Sequence, residues 1–319
     1  MHHDLPVAIA IPVHNRASRI GAAVRAALDQ SHPDCVTIVV DDGSSDGTWD
    51  ALLRMPTDPR LALIRLRRNL GGGQAKNVAM ALSGCRAITF HDSDDRPHPD
   101  KLLRQARVLA SPAVTPDTGQ NWGSVRLSDP APLPVSAVFS HHDLILPDGR
   151  KTTIRRELSL LDDMFPNAMP QPAIEGEWLH INSGLFAPEV FRDLGGYQDS
   201  VEEDRDLRNR LLCAGRLLRV IEDPLLTKIE TSDSLTQSPA TGYRSARRMA
   251  DRQAIWRDLD LWRATGEVAI RPITLPEDAI AVIVNPALLQ PSPALMSAET
   301  AAMIRRALQA SRLDAVPRI

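Results

Sequence analysis

The segment Phe90-His91-Asp92-Ser93-Asp94-Asp95 sets carboxylates at alternating positions where an apolar run gives way to a polar loop. Asp92 and Asp94 can there point toward one hard divalent cation, which prefers carboxylate, water and phosphate oxygen to protein nitrogen. A solvated acidic turn is the alternative for such a pattern standing alone. A second acidic group, Asp41-Asp42-Gly43-Ser44-Ser45-Asp46-Gly47-Thr48, follows the apolar pair Val39-Val40. Its Gly-Ser step turns the chain and Asp46 is placed to cap the next helix. An exposed carboxylate at Asp42 can accept the imide N–H of a uracil with charge assistance. In Asn69-Leu70-Gly71-Gly72-Gly73-Gln74-Ala75-Lys76-Asn77 the glycines, Gly71 among them, let backbone approach a ligand, and Lys76 in the first turns of a helix could meet an anion. A flexible loop explains the three glycines equally well.

These residues need elements to hold them. The first hundred residues alternate short apolar runs with amphipathic stretches, the pattern of strands and helices in a mainly parallel α/β sheet. Strands are expected at 7–12, 37–41, 61–66 and 87–91, with helices at 19–30, 48–54, 73–82 and 99–109. Ligands of open α/β sheets bind beyond the carboxyl ends of the strands, so Asp41-Asp42 and Asp92 to Asp95 should converge on one edge. Between Ser111 and Pro134 the alternation gives way to Pro, Ser and Asp. Beyond it a strand is expected at 135–140, another at 179–187, and helices at 188–194 and 204–214, each closed by glycine. Spacings of three and four among Met249, Ile255, Trp256, Leu259 and Trp262 mark an amphipathic helix from Tyr243 to Arg263. The Ala- and Pro-rich residues after Pro272 carry no signal, and no internal repeat is present. The division that follows is 1–110, 111–230 and 231–319.

Composition narrows the function classes. The 319 residues carry 37 Lys and Arg against 40 Asp and Glu, a net charge of −3 with no like-charged block, so binding of nucleic acid by phosphate neutralisation is not expected. The longest nearly unbroken apolar stretch, Pro6 to Val13, falls far short of the roughly 18 residues that suggest a membrane span. Met1-His2-His3-Asp4 shows neither a basic nor a long apolar segment, so no secretory signal is read. Cys35, Cys85 and Cys213 are odd in number and widely spaced, which argues against disulfides and zinc and fits a reducing cytoplasm.

Taken in order, the motifs resemble family-two glycosyltransferases of the GT-A fold. Ala10-Ile11-Pro12-Val13-His14-Asn15-Arg16 is similar to that family's Pro-Val-Tyr-Asn-Arg strand end, with histidine for tyrosine. DDGSSDGT matches its nucleotide-binding segment unchanged. Asn69-Leu70-Gly71 with Lys76-Asn77 resembles its Asn-x-Gly and Arg-Asn pair, and His91 to Asp95 its metal motif. A second block runs from Asn182-Ser183-Gly184 through Gly195-Gly196-Tyr197 to Glu202-Glu203-Asp204-Arg205, and resembles the acceptor half. The resemblance implies an inverting transfer of sugar from a nucleotide diphosphate, with uridine as the family-weighted base, to a saccharide or lipid-linked saccharide of cell-surface polysaccharide. It implies Asp204 as the catalytic base and Mn²⁺ or Mg²⁺ held by Asp94 with Asp92. It also implies nucleotide contacts from Pro12, His14, Asn15, Asp42, Gly71, Lys76, Asp92 and Ser93, and acceptor contacts from Trp178, Asn182, Ser183 and Glu203. Thr231 to Thr236 resembles a Ser-Leu-Thr segment that in some members folds near the diphosphate.

Other readings stand beside these. Asp204 could be only a helix-start carboxylate favoured by the macrodipole, as Glu202, Glu203 and Asp206 are read. Trp122 and Trp178 stack on sugar or pack in the core. His141-His142-Asp143 is no second metal site if adjacent strand residues point to opposite faces. The 243–263 helix carries a net charge of +3, from six arginines and three aspartates, and suits either packing against the catalytic domain or a second subunit, or peripheral contact with the inner face of an anionic membrane. A nucleotide-sugar-binding module without catalysis would share most of the site. A haloacid-dehalogenase-type phosphatase would explain an Asp-x-Asp strand end, but not Pro97 where that family has threonine or valine, nor DDGSSDGT.

Overall fold

The computed structural model describes residues 5–84, 86–113, 132–146, 148–154, 181–229, 241–242 and 245–314. In chain order the elements are β1 (Val7–Val13), α1 (Ile20–Leu28), β2 (Cys35–Asp41), α2 (Thr48–Leu53), β3 (Leu61–Leu66), α3 (Gly72–Ala81), β4 (Ala87–Phe90), β5 (Arg96–Pro97) and α4 (Lys101–Leu109). They continue with β6 (Val135–Ile145), β7 (Lys151–Ile154), a 3-10 turn (Ile181–Ser183), β8 (Leu185–Phe186), α5 (Pro188–Leu194), α6 (Glu203–Cys213), β9 (Leu217–Ile229), α7 (Ala246–Thr265), β10 (Ile280–Val284) and α8 (Ala298–Asp314).

One ten-stranded sheet runs in the order β10-β3-β2-β1-β4-β8-β6-β9-β5, with β7 on β6. The block β3-β2-β1-β4 is parallel throughout. Every residue of β2 and β4 is buried, which is what sheet strands covered on both faces require. β8 joins this block antiparallel to β4, and β6 follows antiparallel to β8. The sheet therefore passes through all three sequence segments. β10 adds an antiparallel edge to β3, from a stretch that gave no signal in the sequence.

Two apolar clusters cover the sheet. One gathers Ile9, Ile11, Ile20, Val24, Val39, Trp49, Leu102 and Ala106 beneath α1, α2 and α4. The other gathers Ile38, Ile64, Val78, Phe90, Phe186, Phe191, Leu207 and Ile304 beneath α3, α5, α6 and α8. Within it, Phe90 meets Phe186, Phe191 and Tyr197 at ring-centre distances of 6.0, 6.0 and 5.3 Å. Such tilted and edge-on pairs add to burial. They fix the approach to α6 against the end of β4.

Several expected elements differ in extent. The strand expected at 179–187 is, in its described part, a 3-10 turn at Ile181–Ser183 and two strand residues, Leu185 and Phe186. Thr89 Oγ1 donates to the Gly184 carbonyl (2.7 Å) and Gln105 Nε2 to those of Val138 and Ser183 (2.8 and 2.7 Å), so buried side chains replace ladder bonds there. β6 runs on to Ile145, through register irregularities at His141 and His142, and both histidines are buried. The packing reading of the 243–263 helix fits what is seen: α7 lays Ile255 and Trp262 inward, while Met249 and Trp256 stay exposed. Among the described residues no helix is long and apolar enough to cross a membrane.

Candidate active site

The parallel strands β1, β2 and β4 end together, and the loops beyond them stitch one edge. Asn15, just past β1, takes a positive φ of 52°, a conformation that asparagine tolerates better than most residues. Its N–H donates to Ser44 Oγ (2.9 Å) and its Oδ1 accepts from the Ser45 N–H (2.9 Å). Asp46 accepts from the N–H groups of Ala17 (3.1 Å) and Thr48 (3.0 Å), which joins the start of α2 to the loop after β1. His14 Nδ1 donates to the Asp42 carbonyl (2.9 Å), and its Nε2 accepts from Asn15 Nδ2 (3.1 Å). Pro12, His14 and Asn15 are each half-buried along this rim.

Asp42 is not the exposed carboxylate expected. It is 3% exposed, and its two oxygens accept from the N–H groups of Leu70 (2.7 Å) and Gly71 (2.9 Å). Burial pushes its carboxyl above the usual range, although those two N–H bonds and His14 oppose the rise. The side chain holds the glycine loop against β2. Gly71 has a φ of 93°, which suits glycine.

After β4 the chain bends through Asp92, Ser93, Asp94 and Asp95. One oxygen from each of the three aspartates lies within 4.8 Å of the others, and among the described residues this is the group with a metal-like arrangement. Burial, then the charges of Asp92 and Asp95, push the Asp94 carboxyl up to about 6. Burial and Asp92 push Asp95 up as well. Three crowded carboxylates with all-oxygen donors fit a hard divalent cation, which would relieve their mutual repulsion. His91 and Ser93 are buried. Behind the motif Lys101, fully buried, donates to Thr89 Oγ1 (2.9 Å).

On the other side of the same edge stands the start of α6. Asp204 is 38% exposed at its side chain and Glu203 17%. Lys76 Nζ donates to Asp204 Oδ1 (2.7 Å) and to Glu203 Oε1 (3.3 Å). Burial alone would lower the lysine, but Asp204, Glu203, Tyr197 and Asp92 overrule it and hold its ammonium well above the ordinary value. The anion that Lys76 meets is thus the Glu203-Asp204 pair, and its charge also reaches Asp92.

A network behind α6 fixes its first turn. Glu202 is buried and accepts from Arg248 Nη1 (3.0 Å), Arg252 Nη2 (2.9 Å) and Arg205. Asp251 accepts from Ser200 Oγ (3.1 Å) and the Val201 N–H (2.9 Å). Asp206 receives Arg210 (2.8 Å) and Arg271 (3.0 Å). Arg248 and Arg252, two of the six arginines counted on the 243–263 helix, are therefore turned inward, and Arg247 lies 3.5 Å from Asp199.

The edge brings together Pro12, His14, Asn15, Asp42, Gly71, Lys76, Asp92, Ser93, Asp94, Glu203 and Asp204. Asn182 and Ser183 are buried, and the Ser183 carbonyl is taken by Gln105. Trp122, Trp178 and Thr231 to Thr236 lie outside the described residues. Glu202 with its arginines, Asn77 and Lys101 were not singled out as site residues. Asn77 had a signal in the sequence, its place beside Lys76, whereas Arg248 and Arg252 lie 46 and 50 residues beyond Glu202.

Known proteins resemble this chain in sequence and in fold. The model of glycosyl transferase family 2 matches residues 8–126. That stretch holds Asp92 to Asp95 and also DDGSSDGT, which a dehalogenase-type phosphatase leaves unexplained. The succinoglycan biosynthesis protein ExoO of Rhizobium meliloti is 28% identical over 74% of this chain and 59% of its own length. The UDP-Glc:alpha-D-GlcNAc-diphosphoundecaprenol beta-1,3-glucosyltransferase WfaP of Escherichia coli is 32% identical over 34% of this chain and 43% of its own. The chain thus spans about half the length of these relatives. The crystal structure of S. aureus TarS residues 1–349 in complex with UDP superposes with a TM-score of 0.51 at 13% identity, over 82% of this chain and 74% of that one. That likeness concerns the fold, which is GT-A. Residues 8–126 thus resemble glycosyl transferase family 2, and the rest of the chain lies outside that match.

Proposed function

We propose that this protein is a divalent-metal-dependent, inverting glycosyltransferase. It moves a sugar from a nucleoside diphosphate donor, a UDP-sugar in this reading, to a saccharide or lipid-linked saccharide of cell-surface polysaccharide. One observation carries the proposal: a three-carboxylate cluster and a separate carboxylate on a helix start share the strand-end edge, with buried Lys76 between them. The names of ExoO and WfaP support the polysaccharide and UDP-sugar parts.

Asp94 and Asp92 would hold Mn²⁺ or Mg²⁺, with Asp95 beside them. The cation, when bound, neutralises the departing diphosphate as a Lewis acid. Asp42, His14 and Asn15 shape the pocket for the base, and Asp42 also fixes the loop at Gly71. Asp204 accepts the proton of an acceptor hydroxyl. The freed oxygen forms its bond to the anomeric carbon as the bond from that carbon to the diphosphate breaks, with inversion. The proton ends on Asp204 and the electron pair on the diphosphate.

Thermal unfolding with UDP, GDP, dTDP and CDP, each with Mn²⁺ and each with chelator, tests the donor and metal parts. Ligand at a hundred times its Kd adds about 2.7 kcal/mol of stability. UDP should raise the melting point most, and chelator should abolish the gain. No shift with any nucleotide, or an equal shift in chelator, would contradict the proposal.

A further inference from the structure

The dipeptide Lys76-Asn77 joins the nucleotide-side loops to the start of α6 by two separate sets of contacts. Asn77 Oδ1 accepts from the Tyr197 N–H (2.8 Å), and Asn77 Nδ2 donates to the Tyr197 carbonyl (2.8 Å). One buried amide thereby pairs with both polar groups of one residue, as a strand neighbour would. Gly196 permits it, since a Cβ there would lie 2.4 Å from Asn77 Oδ1. Seven residues beyond Tyr197 the chain presents Asp204 to Lys76.

Lys76 is 3% exposed, and its Nζ lies 4.8 Å from the centre of the Tyr197 ring. Its short bond is to Asp204 and its longer one to Glu203. Gly73 before it has a matching use. A Cβ on Gly73 would stand 3.0 Å from the Gln198 carbonyl and 3.3 Å from Glu203 Cγ, tighter than side chains normally approach. Bare backbone at the start of α3 lets the 198–203 segment approach closely. Turning the ammonium to a phosphate would strip Glu203 and Asp204 of their cation, and uncoupling buried charge is costly.

We infer that Lys76 and Asn77 are positioning residues for the base, and that Lys76 aims Asp204 instead of binding the nucleotide. This role rests on the transfer reaction proposed above. Asp204 loses its negative charge when it takes the acceptor proton. Glu203 then remains as the partner of the ammonium, so Lys76 stays in place through the reaction.

Lys76→Met and Lys76→Arg test the inference with two readouts. One is the Kd of the nucleoside diphosphate that the wild type binds best with Mn²⁺, by titration calorimetry. The other is release of that diphosphate from its sugar donor at saturation. Lys76→Met should bind within about twofold of wild type, while turnover falls by about tenfold or more and Lys76→Arg restores most of it. A tenfold loss of nucleotide affinity in Lys76→Met, with or without loss of turnover, overturns the inference. So does wild-type turnover in that variant. If the wild type releases no diphosphate from any donor, the transfer reaction itself fails, while the Kd comparison still decides whether Lys76 is a nucleotide ligand.

Discussion

The two sides of the site edge are held by different physics. Beyond β1, β2 and β4 the loops are fixed by short side chains and backbone N–H groups, as where Asp42 binds Leu70 and Gly71 or Asp46 binds Thr48. At the start of α6 the restraint is ionic and remote in sequence: Glu202 takes Arg248 and Arg252, and Asp206 takes Arg271. The proposed nucleotide side is thus built from its own strands, whereas the proposed base side depends on chain contributed after residue 241. Damage to the C-terminal segment should therefore spoil catalysis before it spoils nucleotide binding.

Asp94→Ala should have the largest effect. On the proposed role of Asp94 as a cation ligand, its removal costs several kcal/mol of transition-state stabilisation, about a thousandfold in diphosphate release, while urea unfolding stays near wild type. Glu202→Ala attacks the other side. It leaves Arg248 partly buried without its carboxylate, so unfolding stability should fall by about 3 kcal/mol, and turnover should fall with nucleotide affinity kept. Loss of nucleotide affinity in Glu202→Ala would erase the contrast between the two sides.

Lys101 offers a pH readout beneath the metal motif. Burial lowers it from 10.5 to about 7, against the pull of Asp95. Between pH 7 and 10.5 the unfolded chain then binds more protons at this residue than the folded one, so folding stability rises with pH in that window. Lys101→Met lacks this dependence, and the gap between wild type and variant should change in favour of wild type by about 2 kcal/mol from pH 7 to 9. The smallest effect is expected on the nucleotide side, where Asp46→Ala removes a helix-start acceptor worth about 1 kcal/mol and should leave turnover within a few-fold.

The same contrast decided what the sequence disclosed. β1 to β4 and the helices between them follow from apolar runs and period, because each is buried by its neighbours in the chain. The acidic strand ends came with them. β9 was not read, since its polar middle, Glu222-Asp223-Pro224, interrupts any period. β10 and α8 were hidden by short or alanine-rich apolar faces that are buried only against β3 and the larger cluster. Lys76 was recognised as a cation seeking an anion, but its anion lies 127 and 128 residues further along the chain. No local pattern announces such a pairing. Asp42 was expected to be exposed and is buried, because the loop that covers it is itself a glycine loop without apolar signal.

The central claim is that Asp204 serves chemistry and not binding, and Asp204→Asn tests it most directly, since the shape is kept and the base removed. Diphosphate release at saturating donor should fall by about a hundredfold or more, with the Kd for nucleoside diphosphate and Mn²⁺ nearly unchanged. A wild-type rate in the variant, or a collapse of its nucleotide affinity, would contradict the assignment.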